Sequence, residues 1–155
     1  MTRTKGVTPT PACRILIVDD NRNGLLARKS VLQEQGFEVD AFGLAEEALT
    51  AFAEKPYDLV ITDFRMPNIN GAEVIRRVKE LRPNVPVILI SGVADALGLN
   101  EGNTGADAVV SKSAGEVTRL VRAVDRLLRP ARKPAKKPPA TQSASADIRR
   151  RSSKP

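Results

Sequence analysis

The stretch ILIVDD, residues 15–20, decides the fold of this chain, because four apolar residues run directly into two adjacent carboxylates. A continuous apolar run of this kind is typical of a strand that is covered on both faces, as in a parallel sheet. The two carboxylates, Asp19 and Asp20, repel each other, and each raises the pKa of the other unless a cation offsets the charge. The stretch therefore predicts a buried strand whose acidic end binds something positively charged.

The same pattern recurs along the chain, where strand-like segments alternate with helical ones. The strand-like segments are 14–19, 37–42, 57–63, 85–91 and 107–112, and the helical ones are 23–35, 44–55, 71–82 and 113–129. Strict alternation with apolar strands predicts an α/β fold, a doubly wound five-stranded parallel sheet with helices on both faces. Ser113 and Glu116 are spaced as a capping box, which predicts that the last helix starts at Ser113.

One helical segment of this repeat has a composition that disfavours a helix. The segment 93–105 should hold the fourth helix, yet it contains Gly98, Gly102 and Gly105 together with two asparagines. Each glycine costs about 1 kcal/mol relative to alanine inside a helix. We therefore expect this helix to be short or irregular.

Composition divides the chain into three parts and excludes several classes of protein. We predict a flexible arm over 1–13, a folded domain over 14–129 and a disordered tail rich in Lys, Arg, Pro and Ala over 130–155. The chain has one cysteine and no histidine, which excludes catalysis by Ser-His-Asp or Cys-His and the usual structural zinc sites. A single cysteine suits a reducing cytoplasm, and no apolar stretch is long enough for membrane insertion.

The positive charge of the chain is concentrated at its C-terminal end. Residues 129–155 hold nine Lys or Arg against one acid, a net charge of +8, whereas residues 1–128 carry a net charge of −1. Such a tail could bind nucleic acid weakly and without sequence specificity through phosphate contacts. A solubilising or linking tail is the simpler interpretation, because no aromatic residues or groove-reading element accompany the charges.

Polar side chains end four of the five predicted strands. Asp19 and Asp20 end the first strand, Asp63 the third, Ser91 the fourth and Lys112 the fifth. In a doubly wound sheet these ends share the edge at which ligands bind, so the side chains can converge there. Mg²⁺ prefers carboxylate oxygens and also accepts phosphate oxygens, and an aspartate can act as a nucleophile toward phosphorus. Each residue alone has an ordinary structural explanation, such as Asp20 as the cap of the first helix. The combination favours metal-dependent phosphoryl transfer.

The motifs ILIVDDN (15–21), DLVITDFRMPNINGAEVI (58–75), VPVILISG (85–92) and GADAVVSK (105–112) resemble the receiver domain of response regulators in two-component signalling. The resemblance extends over most of the predicted domain and implies a flavodoxin-like strand order of 2-1-3-4-5. It also implies a chemotaxis-type, single-domain regulator that signals by changed partner binding and is not an enzyme beyond its own phosphorylation and dephosphorylation.

The resemblance further implies a role for each residue at the strand ends. Asp63 matches the phospho-acceptor, Ser91 and Lys112 match the residues that contact the phosphoryl group, and Mg²⁺ would be held by Asp19, Asp20, Asp63 and the backbone carbonyl of Arg65. The implied partners are a histidine kinase or phosphotransfer protein, whose phospho-histidine donates the group, and a downstream protein target that the sequence does not identify.

Three features depart from the family pattern, and all lie between the fourth helix and the last one. Val109 stands where receivers usually carry an aromatic residue, Ser113 follows the lysine in place of proline, and the fourth helix is rich in glycine. The missing aromatic leaves open a receiver-like scaffold that is never phosphorylated, and the basic tail leaves open a regulator that acts on nucleic acid. If the usual aromatic switch is missing, we expect phosphorylation to reshape residues 92–105 instead.

Overall fold

The structure is a computed structural model that describes residues 12–132. The strands are β1 (Arg14–Val18), β2 (Glu38–Phe42), β3 (Leu59–Asp63), β4 (Val87–Ser91) and β5 (Ala108–Ser111). The helices are α1 (Arg22–Glu34), α2 (Ala45–Glu54), α3 (Gly71–Leu81), α4 (Ala94–Leu97), α5 (Glu101–Thr104) and α6 (Glu116–Arg132). The arm expected over 1–13 lies outside the described residues except for its last two. Of the tail expected over 130–155, residues 133–155 also lie outside them, whereas α6 extends to Arg132, three residues beyond the predicted end of the domain.

The five strands form one parallel sheet in the order β2-β1-β3-β4-β5. This order confirms the doubly wound α/β fold and the flavodoxin-like topology. The pairing of β1 with β3 runs from Ile15 opposite Leu59 to Val18 opposite Thr62, so the residues after Val18 and Thr62 emerge side by side. The acidic ends of two central strands therefore meet at one edge of the sheet, where such folds bind ligands.

Alternate residues of the strands feed two separate apolar layers, because successive side chains point to opposite faces of a sheet. Ile15 and Ile17 pack on one face with Leu120 and Val124 of α6. Leu16 and its strand neighbours pack on the other face against α2 and α3. Residues of β1, β3 and β4 are buried on both faces, which explains why their sequences are continuously apolar.

The helix ends differ in two places from the sequence interpretation. Helix α1 is capped by Asn21, whose Oδ1 accepts a hydrogen bond from the Gly24 backbone N–H, so Asp20 is not the cap. Helix α6 begins at Glu116, so its cap position is Gly115, and Ser113 lies two residues too early for the capping box that we expected. The Glu116 carboxylate instead accepts a hydrogen bond from Arg28, because a buried cation needs a charged partner more than a helix end does.

The glycine-rich segment is irregular, as expected. It forms α4 and α5, each a single turn of four residues, and both turns end at a glycine with positive φ, Gly98 and Gly105. Helix α4 buries one residue, Ala94, and α5 buries none. Within residues 12–132 no helix has the length and apolar character needed to cross a membrane.

Candidate functional site

Three carboxylates meet at the edge formed by the ends of β1 and β3. Asp19 and Asp20 follow β1 directly, and Asp63 is the last residue of β3. Carboxylate oxygens of all three lie within 4.8 Å of one another, with Asp19 and Asp63 buried and Asp20 exposed. The structure therefore brings together the three acids that the sequence singled out, although they come from segments more than 40 residues apart.

Lys112 lies against this cluster from the end of β5. Its Nζ is 2.9 Å from Asp63 Oδ1 and 3.7 Å from Asp19 Oδ2. Burial raises the pKa of Asp63 above its ordinary value, and the nearby charge of Asp19 acts in the same direction. The Lys112 ammonium and the Phe64 backbone N–H oppose that rise in the pKa without cancelling it. Burial and the neighbouring carboxylate therefore disfavour the ionised form of Asp63, and a nearby positive charge favours it.

Ser91 is fully buried at the end of β4 and links the pocket to the irregular segment. Its Oγ accepts a hydrogen bond of 3.0 Å from the Val93 backbone N–H, at the point where α4 begins. Its backbone carbonyl accepts a hydrogen bond of 2.9 Å from the Lys112 backbone N–H. Ser91 thus joins the residue that pairs with Asp63 to the first residues of the segment 92–105.

The loop after Asp63 packs tightly against the end of β3. The Gly71 backbone N–H donates to the Phe64 carbonyl at 2.7 Å, which closes the loop that carries Arg65. A Cβ at Gly71 would lie 2.4 Å from the carbonyl oxygen of Asp63, closer than any real contact. Glycine is therefore required at this position, and the position of Asp63 depends on it.

Sequence reasoning missed one charged residue in the pocket, Arg28 of α1. Its Nη1 is 2.6 Å from Asp19 Oδ2, and its Nε is 2.6 Å from Glu116 Oε2 at the start of α6. A signal was present, because Leu25, Arg28 and Leu32 form the buried stripe of α1 and a cation on such a stripe needs a charged partner. Which carboxylates it would meet depended on the packing of α1 against α6.

Val109 and Ser113, the two positions at which the sequence departs from the family pattern, lie away from the carboxylates. Val109, in β5, is half-buried, and its backbone N–H donates to Glu101 of α5 at 3.2 Å. Ser113 is exposed, and its Oγ accepts a hydrogen bond of 2.8 Å from Arg119 of α6. These two positions therefore contact α5 and α6 rather than the acidic pocket.

Comparison with known proteins gives one consistent family. The family profile of the response regulator receiver domain matches residues 15–125. The chain is 33% identical over 127 residues to the gliding motility regulatory protein of Myxococcus xanthus, covering 78% of this chain and 16% of that protein. It is 29% identical over 116 residues to the response regulator receiver protein CpdR of Brucella abortus, covering 74% and 96%.

The coverage of full-length relatives is uneven. The match to the transcriptional regulatory protein DctD of Rhizobium meliloti is 35% identical over 81 residues, covering 52% of this chain and 18% of that protein. The chain therefore spans less than a fifth of that regulator and of the gliding motility protein.

Solved structures match the same region. The response regulator TrrA of Thermotoga maritima, in complex with Mg²⁺ and BeF, is 36% identical with a TM-score of 0.68, covering 75% of this chain and 99% of that one. A CheY-like receiver domain protein of Methanospirillum hungatei is 27% identical with a TM-score of 0.68, covering 79% and 98%.

Proposed function

The chain belongs to the response regulator receiver family of two-component signalling, and from that premise we propose that Asp63 accepts a phosphoryl group in a Mg²⁺-dependent reaction. Receivers are signalling domains rather than enzymes in the ordinary sense. The observation that carries the proposal is the pocket itself, three carboxylates within 4.8 Å with Lys112 at 2.9 Å from one of them. A structural surface has no need of such a concentration of buried charge.

The residues present fit a magnesium ion. Asp19, Asp20 and Asp63 offer hard oxygen ligands close together, and the backbone carbonyl of Arg65, two residues after β3, is the fourth ligand that we assign. Mg²⁺ takes a few carboxylates and keeps its remaining positions for water and phosphate oxygens. A bound Mg²⁺ supplies positive charge that stabilises the oxygens of the transferring phosphoryl group.

Asp63, Lys112 and Ser91 have separate roles in the transfer of the phosphoryl group. The Asp63 carboxylate attacks phosphorus, so that an O–P bond forms while the P–N bond to the donor imidazole breaks, and the imidazole keeps the electron pair and takes up a proton. Lys112 holds one Asp63 oxygen and places its ammonium beside the incoming phosphoryl oxygens. Ser91 then donates its hydroxyl to the phosphoryl group and gives up the hydrogen bond from Val93.

The partners follow from this chemistry. The 155 residues contain no histidine, so the phospho-histidine donor lies outside them, and we expect it on a histidine kinase or phosphotransfer protein. We expect the exchange in the reducing cytoplasm, which suits a chain with one cysteine. The output is changed binding of a downstream protein, and the residues that change are those between Ser91 and α6.

Intact-mass measurement tests the proposal directly. The full chain is incubated with Mg²⁺ and acetyl phosphate, and a gain of one phosphoryl group is expected. Asp63→Ala should gain nothing, and neither should the parent chain in EDTA. As a matched control, Asp95→Ala removes an exposed carboxylate of α4 and should react like the parent. No gain by the parent with any donor would contradict the proposal and support a scaffold that is never phosphorylated.

A further inference from the structure

Arg28 is a buried cation that the proposed phosphoryl chemistry does not use. Its side chain is 8% exposed, and it lies on the apolar stripe of α1 between Leu25 and Leu32. Burying a guanidinium is costly unless charged groups pair with it and satisfy its hydrogen bonds. Two carboxylates pair with Arg28 here, and each accepts a hydrogen bond from its guanidinium.

The two partners of Arg28 belong to different parts of the molecule. Nη1 donates to Asp19 Oδ2 and Nε donates to Glu116 Oε2, each at 2.6 Å, and Asp19 and Glu116 are 97 positions apart in the numbering. Burial acts to lower the pKa of Arg28, but Glu116 and Asp19 together raise it above its ordinary value, so the group stays charged. One guanidinium therefore joins the acidic pocket to the first residue of α6.

Both oxygens of Asp19 already have partners in this arrangement. Its Oδ1 accepts a hydrogen bond of 2.9 Å from the Asn21 backbone N–H. Its Oδ2 faces Arg28 at 2.6 Å and Lys112 at 3.7 Å. A divalent cation that binds Asp19 must therefore compete with a positive charge already seated on that carboxylate.

We propose that Arg28 is a positioning residue that opposes cation binding at Asp19 and transmits the occupancy of the pocket to Glu116 at the start of α6. The inference rests on the proposed function in one respect, that the pocket binds a divalent cation. A cation bound at Asp19 would weaken the ion pair between Arg28 and Asp19, which would leave Glu116, at the start of α6, as the charged partner of Arg28. This route from the pocket to α6 runs through Arg28 and does not include Val109.

Two variants with opposite expected effects test the proposal. Calorimetric titration of the full chain with Mg²⁺ alone should show Arg28→Met binding about ten-fold more tightly than the parent, because a competing charge is gone. Glu116→Gln should bind a few-fold more weakly, because Arg28 then has Asp19 as its one charged partner. Lys29→Met, one residue further along α1 with the same charge change, should match the parent.

Backbone amide shifts in the same titrations report the transmission. In the parent, Mg²⁺ should shift the amides of residues 116–119, and in Arg28→Met those shifts should be lost while the metal still binds. A purely structural role for Arg28 would leave the Mg²⁺ affinity unchanged or reduce it in both variants. Either of those results, or shifts at 116–119 that persist in Arg28→Met, overturns the inference.

The outcomes separate this inference from the proposed function. If the parent binds Mg²⁺ and the two variants do not move the affinity in opposite directions, the inference alone fails. If neither the parent nor any variant binds Mg²⁺, both fail. Arg28→Met removes an ion pair from each of two carboxylates, so thermal unfolding should confirm that it folds. If it does not, Glu116→Gln decides, and an affinity equal to or higher than that of the parent overturns the inference.

Discussion

Two neighbouring parts of the sheet edge are built in opposite ways. The acceptor region, Asp63 to Leu81, contains the end of β3, a tight loop and α3, which buries Gly71, Val74, Ile75 and Val78. The relay segment, residues 92–105, contains α4 and α5, which together bury Ala94 alone. Both start at the carboxyl end of a central strand, yet one is anchored in the core and the other lies largely on the surface.

The difference indicates which part of the molecule can change its conformation when Asp63 carries a phosphoryl group. Regions with few buried apolar contacts open at low free energy, whereas anchored helices open only with global unfolding. A phosphoryl group on Asp63 would leave the acceptor region in place. It would act through Ser91 on the relay segment, which can rearrange at a low cost in free energy. Receivers usually carry an aromatic switch residue at the position of Val109, and we infer that in this chain the relay segment responds instead.

The largest expected effect concerns Gly71. In Gly71→Ala the added methyl meets backbone atoms of Asp63 and Phe64 at 2.4 and 2.9 Å, so the loop must shift. We expect a loss of roughly 1–3 kcal/mol in the free energy of unfolding, measured by urea denaturation. Gly43→Ala, where nothing lies within 4 Å, should stay within about 0.5 kcal/mol of the parent. Equal effects at both glycines would show that the acceptor region is not tightly packed.

Matched cap deletions test the anchoring of the two regions. Asn70 caps α3 and Asn100 caps α5, each by accepting a backbone hydrogen bond through its side chain, at 3.0 and 2.9 Å. Asn70→Ala should lower the global free energy of unfolding by about 1 kcal/mol. Asn100→Ala should leave global unfolding almost unchanged and increase amide hydrogen exchange only at residues 101–105. A global loss of the same size in Asn100→Ala would remove the contrast between the two regions.

The smallest effect concerns the charge of Asp63 itself. Burial raises its pKa in the folded chain, so the ionised carboxylate is less favourable folded than unfolded. Without metal at neutral pH, Asp63→Asn should therefore have a higher Tm than the parent. The advantage should shrink as pH falls through the folded pKa and vanish below 3.8, the ordinary pKa, where both states of the parent are protonated.

Two observations check this assignment. Asp20→Asn, which removes an exposed carboxylate from the same cluster, should change the Tm by less. A lower Tm for Asp63→Asn at neutral pH would mean that its ion pair with Lys112 outweighs the cost of burying the charge.

Most of the fold could be predicted from the sequence, because its signals are local and repeated. Continuous apolar runs such as ILIV and VILI mark strands buried on both faces, and the acids that follow them mark the sheet edge. The glycines of 93–105 correctly predicted an irregular fourth helix. Asp19, Asp20 and Asp63 lie together as expected, because strand order places β1 next to β3.

What could not be predicted depends on contacts between distant elements. The partners of Arg28 are set by how α1 packs beside α6, which no local pattern records. For the same reason Glu116, interpreted as part of a capping box, is the counter-ion of Arg28. Asn21 rather than Asp20 caps α1, because the Asn21 side chain is the one that reaches the Gly24 backbone N–H.

Amide hydrogen exchange of the full chain, with and without Mg²⁺ and beryllofluoride as a phosphoryl mimic, tests the central claim most directly. The account predicts that loading the site changes protection in the relay segment, residues 92–105, while α3 keeps its protection. Asp63→Asn, treated identically, should show no change in either region. Unchanged protection across 92–105 in the loaded parent chain, or a change of equal size in α3, would contradict the account.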